Sequence, residues 1–104
     1  MEPEQFSVTV EWSGSACVVH VTGEIDMATA PTLDECLTGL AGDTVVDFSG
    51  VTFMDSNGVA ILARAMKRAS DHNVTFSVRG LRPAQRHILE ITGLGEHLTL
   101  EDEE

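Results

Sequence analysis

The stretch Val46-Asp47-Phe48-Ser49-Gly50-Val51-Thr52-Phe53-Met54-Asp55-Ser56-Asn57-Gly58-Val59-Ala60-Ile61-Leu62 changes its hydrophobic period halfway along. Thr44 to Phe48 is a short apolar run of the kind that forms a buried strand, and Ser49-Gly50 breaks it. From Val59 the apolar residues return at helical spacing, with Val59, Leu62, Met66 and Ala69 on one face. Asp55, Ser56 and Asn57 are each able to cap that helix. A buried strand leading through a polar loop into an amphipathic helix is the repeating unit of an α/β fold.

The flanking sequence extends the same pattern. Phe6, Val8, Val10 and Trp12 alternate with polar residues, Ser13-Gly14-Ser15 is a turn cluster, and Cys17-Val18-Val19-His20-Val21 is a more buried second strand, so a hairpin is predicted. Beyond Gly23-Glu24-Ile25-Asp26 the period shifts to Leu33, Cys36, Leu37 and Leu40, with Pro31 in the first turn and Gly42 as the stop of a first helix. Residues 73–79 alternate as a strand, Pro83 opens a third helix whose apolar side includes Ile88, Leu89 and Ile91, and Gly93 closes it. Leu98 and Leu100 form a short last strand before an acidic tail, Glu101 to Glu104. The order is β-β-α-β-α-β-α in one α/β domain covering residues 1–104, and the alternation of strands and helices in its second half implies parallel pairing.

Composition narrows the function. An apolar share of 42% and a charged share of 22% fit a packed globular core. Six Lys and Arg against 17 Asp and Glu give a formal charge of −11, which argues against nucleic acid and against an anionic membrane surface, and suits a basic protein partner. There is no apolar run of membrane-spanning length, and the acidic Met1-Glu2-Pro3-Glu4 is unlike a signal peptide, so a cytoplasmic location is expected. Cys17 and Cys36 lack metal or redox spacing and fall in apolar surroundings, as buried free thiols do.

In open α/β sheets functional groups gather at the carboxyl ends of strands. Two acidic loops take that position, Gly23-Glu24-Ile25-Asp26 and Asp55-Ser56-Asn57-Gly58, and they share a rim if the strands they follow are neighbours. A phosphate on Ser56 would be tolerated at a helix start, where free N–H groups and the helix dipole favour negative charge. Its charge of about −1.5 to −2 beside Asp55 would act outward, against whatever docks there. On spacing alone Ser56 is simply a helix cap.

The stretch from Val46 to Leu62 closely resembles the signature of STAS domains, the family of bacterial anti-sigma factor antagonists. Thr22-Gly23-Glu24-Ile25-Asp26 resembles that family's first loop, and Ile91-Thr92-Gly93-Leu94 its C-terminal helix end. The resemblance implies a small mixed sheet with helices mainly on one face. It also implies partner switching: the unmodified chain binds an anti-sigma factor serine kinase of the histidine-kinase-like ATPase fold and so frees a sigma factor. The kinase then phosphorylates the serine after the signature aspartate, here Ser56, using ATP and Mg, and a PP2C-type phosphatase restores the binding form. Asp26 matches the first-loop aspartate near the acceptor. Asn57 in place of a second Ser or Thr, and Val59-Ala60 in place of Leu-Gly, are departures that retune kinase recognition without removing the acceptor.

Enzymatic readings have little support. Asp-Ser-Asn-Gly is not a Gly-x-Ser-x-Gly elbow, and His20, His72, His87 and His97 are scattered. Asp26, Asp47 and Asp55 suit a Mg site chemically, but aspartates at strand ends and helix starts are ordinary turn and cap residues. No cofactor is expected, and the lack of a Gly-rich phosphate loop weighs against a nucleotide-binding STAS domain. The leading expectation is a binding module whose partner surface comprises Asp26, Met27, Asp55, Asn57 and Gly58 around Ser56, together with the outer face of the second helix. The alternative is a non-switching STAS scaffold or a regulatory module of a stress-sensing or transport complex. Such proteins often carry an extra sensory or membrane segment, and this sequence shows none.

Overall fold

The computed structural model describes residues 5–94 and 99–101. Two strands open the chain, β1 (Ser7–Ser13) and β2 (Ala16–Ile25), followed by α1 (Ala30–Thr38), β3 (Thr44–Met54), α2 (Ser56–Asp71), β4 (Phe76–Arg79), α3 (Pro83–Thr92) and β5 (Thr99–Glu101). They build a five-stranded mixed sheet in the order β1-β2-β3-β4-β5, with β1 antiparallel to β2 and every later pair parallel. The α/β class and element order agree with the sequence reading.

One face of the sheet carries the core. Cys17, Val19, Val21 and Ile25 of β2, Val46, Phe48, Val51 and Met54 of β3 and Val78 of β4 are buried against Leu33 and Leu37 of α1, Ile61, Leu62 and Ala65 of α2 and Leu89 of α3. Burying each large apolar side chain contributes about 1.5–3 kcal/mol, which offsets the entropy of ordering the chain. The other face holds alternate residues such as Val18, His20 and Val45, which are only half-buried.

Asp47 ties this helix-free face together. Its carboxylate lies 3.3 Å from His20 Nδ1 and 3.4 Å from an Arg79 Nη, and Ser49 N–H donates to it at 2.9 Å. His20 Nε2 in turn lies 3.0 Å from Glu11, so side chains from four strands are linked. Burial of Asp47 opposes its ionisation, but Ser49 and the Arg79 guanidinium outweigh it and hold the carboxyl below its usual value.

Several boundaries differ from the sequence expectation. The Ser49-Gly50 break is a bulge, not an end. Between His20 and Thr22 of β2 the partner β3 advances from Asp47 to Gly50, and between Gly23 and Glu24 it advances from Val51 to Phe53. Each step adds one residue to β3, so the strand runs on to Met54, and the two additions restore the inward phase of Met54. Gly23-Glu24-Ile25 likewise belongs to β2, leaving Asp26 as the first loop residue.

Helix α1 stops at Gly39, not Gly42. Gly42 instead makes room for the β-hairpin turn, because a Cβ there would collide with the Ser15 carbonyl. Helix α2 buries Gly58, Ile61, Leu62 and Ala65, a face rotated from the predicted one, with Val59 and Met66 at its flank. Strand β4 begins only at Phe76, since Asn73 takes a left-handed φ of 57° as the chain leaves α2. On α3, Leu89 and Gln85 are buried while Ile91 is 70% exposed. Glu101, expected in the acidic tail, is the last residue of β5; Leu98 and residues 102–104 lie outside the described residues.

Candidate functional site

Parallel pairing of β2 with β3 sets Ile25 opposite Met54, so the residues that follow, Asp26 and Asp55, leave the sheet side by side. Asp55 N–H donates to the Ile25 carbonyl at 3.2 Å, fastening the two loops directly. The shared rim expected from the sequence is therefore present.

Asp26 organises the first loop. Its Oδ1 accepts from the N–H groups of Ala28 at 2.9 Å and Thr29 at 3.1 Å, while its own N–H donates to Thr29 Oγ1 at 2.9 Å. The Thr29 hydroxyl donates to the Glu24 carbonyl at 2.7 Å, closing the turn back onto β2. Met27, between these anchored residues, is 78% exposed.

Asp55, not Ser56, caps α2. Its extended backbone and its Oδ1, which accepts from Asn57 N–H at 2.8 Å and from Asn57 Nδ2 at 3.2 Å, make the N-cap. Ser56 is left as the first helical residue. It is exposed, and its hydroxyl makes no hydrogen bond among the described residues. Asn57 is half-buried and spent on the cap.

Gly58 is buried beneath the loops. A Cβ there would collide with the Met54 side chain and come within 3.1 Å of Ile25 Cγ2. Its contribution to the rim is the close approach of α2 to both strand ends rather than an outward contact.

Asp26, Asp47 and Asp55 do not converge. Each is engaged in its own turn or cap, with Asp47 on the helix-free face, and among the described residues no group of three or more His, Cys, Asp or Glu side chains is placed to hold a metal ion. No described helix is long and apolar enough to cross a membrane. A cavity of about 190 Å³, lined by Leu37, Leu40, Arg68 and Phe76 among others, lies at the opposite end of the sheet, where β3 and β4 begin. On the Ser56 rim, Ser56 and Met27 are exposed.

The sequence reading overlooked two features of this rim. Thr29 locks the Asp26 loop, and Phe53, 50% exposed, stands two residues before Asp55. No periodic signal marks Phe53, because it lies beyond the bulges that extend β3.

Comparison with known proteins agrees with this architecture. A family model described as "Mlab, STAS domain" matches residues 8–101. The anti-sigma-F factor antagonist RsfB of Mycobacterium tuberculosis is 30% identical, over 94% of this chain and 83% of that protein. The anti-sigma-B factor antagonist of Staphylococcus aureus is 31% identical, over 73% of this chain and 74% of its own length. The crystal structure of an anti-sigma factor antagonist from Mycobacterium paratuberculosis superposes with a TM-score of 0.84 at 33% identity, covering 95% of this chain and 87% of that one. With its sheet order, its paired acidic loops and a family match across nearly the whole described fold, this chain belongs to the STAS domain family.

Proposed function

We propose that this chain is an anti-sigma factor antagonist acting in the cytoplasm by partner switching. In its unmodified form it binds an anti-sigma factor serine kinase of the histidine-kinase-like ATPase fold, and a sigma factor is released. Transfer of a phosphoryl group from ATP to the Ser56 hydroxyl ends the interaction, and a PP2C-type phosphatase reverses it. The chain itself is a substrate and binding module, not an enzyme.

The observation that carries this reading is the division of labour between Asp55 and Ser56. Because Asp55 provides the cap, the Ser56 hydroxyl is free of structural duty and faces solvent. It sits where the first N–H groups of α2 favour added negative charge, so a phosphate there is compatible with the fold. Asp26 and Asp55 lie on the same rim, so the phosphate adds to an already acidic surface, and its effect falls on the docked partner through repulsion and bulk. The names of the relatives at 30 and 31% identity support the antagonist role.

The test is intact mass spectrometry after incubating the purified chain with anti-sigma kinases and Mg-ATP. A single phosphate adduct on the wild type that is absent from Ser56→Ala is expected. An adduct that persists in Ser56→Ala, or none with a kinase that demonstrably binds, refutes the switch.

A further inference from the structure

Four large apolar side chains are exposed among the described residues: Trp12, Met27, Phe53 and Ile91. Two of them flank the rim loops, Met27 directly after Asp26 and Phe53 two residues before Asp55. Phe53 pairs with Glu24 across β2 and β3. Since their neighbours Met54 and Ile25 point into the core, Phe53 and Glu24 project side by side from the helix-free face.

Three residues of chain span at most about 11 Å, which bounds the separation of Phe53 and Ser56. An interface of ordinary size takes about 800 Å² from each partner, a patch roughly 16 Å in radius. A partner centred on Ser56 that reaches over the rim onto the helix-free face therefore has Phe53 within that radius. Aromatic side chains in such places are the usual anchors of affinity.

Charge identifies the kind of partner. Residues 1–63 contain ten acidic residues and no Lys or Arg; all six cations lie between Arg64 and Arg86. Glu24, Asp26 and Asp55 form no ion pair among the described residues. They leave an uncompensated acidic strip beside two exposed apolar side chains.

We propose that Phe53 is an anchor of the partner-binding surface, flanked by Met27 and the Glu24, Asp26 and Asp55 carboxylates. The anti-sigma kinase meets it with an apolar pocket ringed by Lys and Arg. The docking surface then wraps over the rim, from α2 onto the helix-free face of the sheet. This rests on the partner-switching reading above and adds to it the residues outside the Ser56 loop that confer affinity.

The test is calorimetric titration of a purified anti-sigma kinase from the source organism, loaded with Mg-ADP, with wild type, Phe53→Ala, Phe53→Leu, Glu24→Lys, Ser56→Asp and Trp12→Ala. Circular dichroism confirms that each variant is folded. Phe53→Ala is expected to weaken binding by roughly thirtyfold, the loss usual for a truncated aromatic anchor. Phe53→Leu recovers part of that loss, Glu24→Lys weakens binding most at low salt, and Trp12→Ala, on the opposite rim beside Cys17, binds as wild type. If Phe53→Ala and Glu24→Lys bind like wild type while Ser56→Asp does not, the anchor is refuted and the switch stands. If Ser56→Asp also binds like wild type, both fall.

Discussion

The N–H of Asp55 donates to the carbonyl of Ile25 at 3.2 Å, joining the cap of α2 to the end of β2 across 30 residues of chain. Everything proposed for the Ser56 rim depends on this splice. It makes one surface of two loops that are far apart in sequence, and Gly58 beneath it is what allows α2 to sit close enough for the bond to form.

Replacing Gly58 with Val should therefore damage both loops together. The added side chain meets Met54 and Ile25, and overpacking of this kind costs about 1–3 kcal/mol. Thermal unfolding is expected to shift down by roughly 5–15 °C. A shift of less than 2 °C would show that the core accommodates the side chain.

Asp55→Ala removes the cap while leaving Ser56 in place. A loss of about 1 kcal/mol is expected, read as a lower urea midpoint with an unchanged slope. Ser56→Ala, which has no cap to lose, should unfold at the wild-type midpoint.

Ser56→Asp places a charge at the first position of α2, where the helix dipole favours it. Its stability should equal or exceed that of wild type by up to about 1 kcal/mol. A variant that melts well below wild type would mean that phosphorylation acts by unfolding the helix start and not by repelling a partner.

Asp47 supplies a pH dependence. Its folded carboxyl titrates below the unfolded one, so it binds fewer protons when folded, and the stability it adds is present above the ordinary carboxylate range and lost as pH falls through the lowered value. Urea unfolding of wild type and Asp47→Asn should differ most near neutral pH, and the gap should narrow as pH falls below the ordinary carboxylate range. A gap that does not narrow with acid would assign the effect to packing.

The two thiols should differ in native reactivity. Cys17 is 2% exposed as expected, whereas Cys36, also expected to be buried, is only half-buried; that partial burial, together with the neighbouring Cys17 sulfur, raises the Cys36 thiol above its usual pKa. A disulfide-exchange reagent at pH 8 is expected to titrate Cys17 only after denaturant is added, and the half-buried Cys36 slowly before it. Rapid reaction of Cys17 in native buffer would contradict its burial.

Local signals carried much of the fold. The alternation of Val8 and Val10, the helical spacing of Leu33 and Leu37, Pro83 before α3 and Gly93 after it are each properties of a few adjacent residues, and each appears in the structure as the sequence implies. The aspartates of both loops were legible for the same reason, since turn and cap chemistry is local. So was Ser56 as a helix-start residue.

What the sequence could not decide were matters of pairing across long distances. That Ser49-Gly50 is a bulge depends on β2 lying alongside to hold β3 in register, and that Gly42 is a contact depends on the Ser15 carbonyl arriving there. Which of Asp55, Ser56 and Asn57 caps α2 was open until backbone geometry chose Asp55, and the exposure of Phe53 and Ile91 follows from which faces found neighbours. Periodicity and turn chemistry are written into neighbouring residues, so the sequence alone determined the elements and their order. Register, burial and the meeting of Asp26 with Asp55 arise from contacts between distant segments, and only the tertiary structure supplied them.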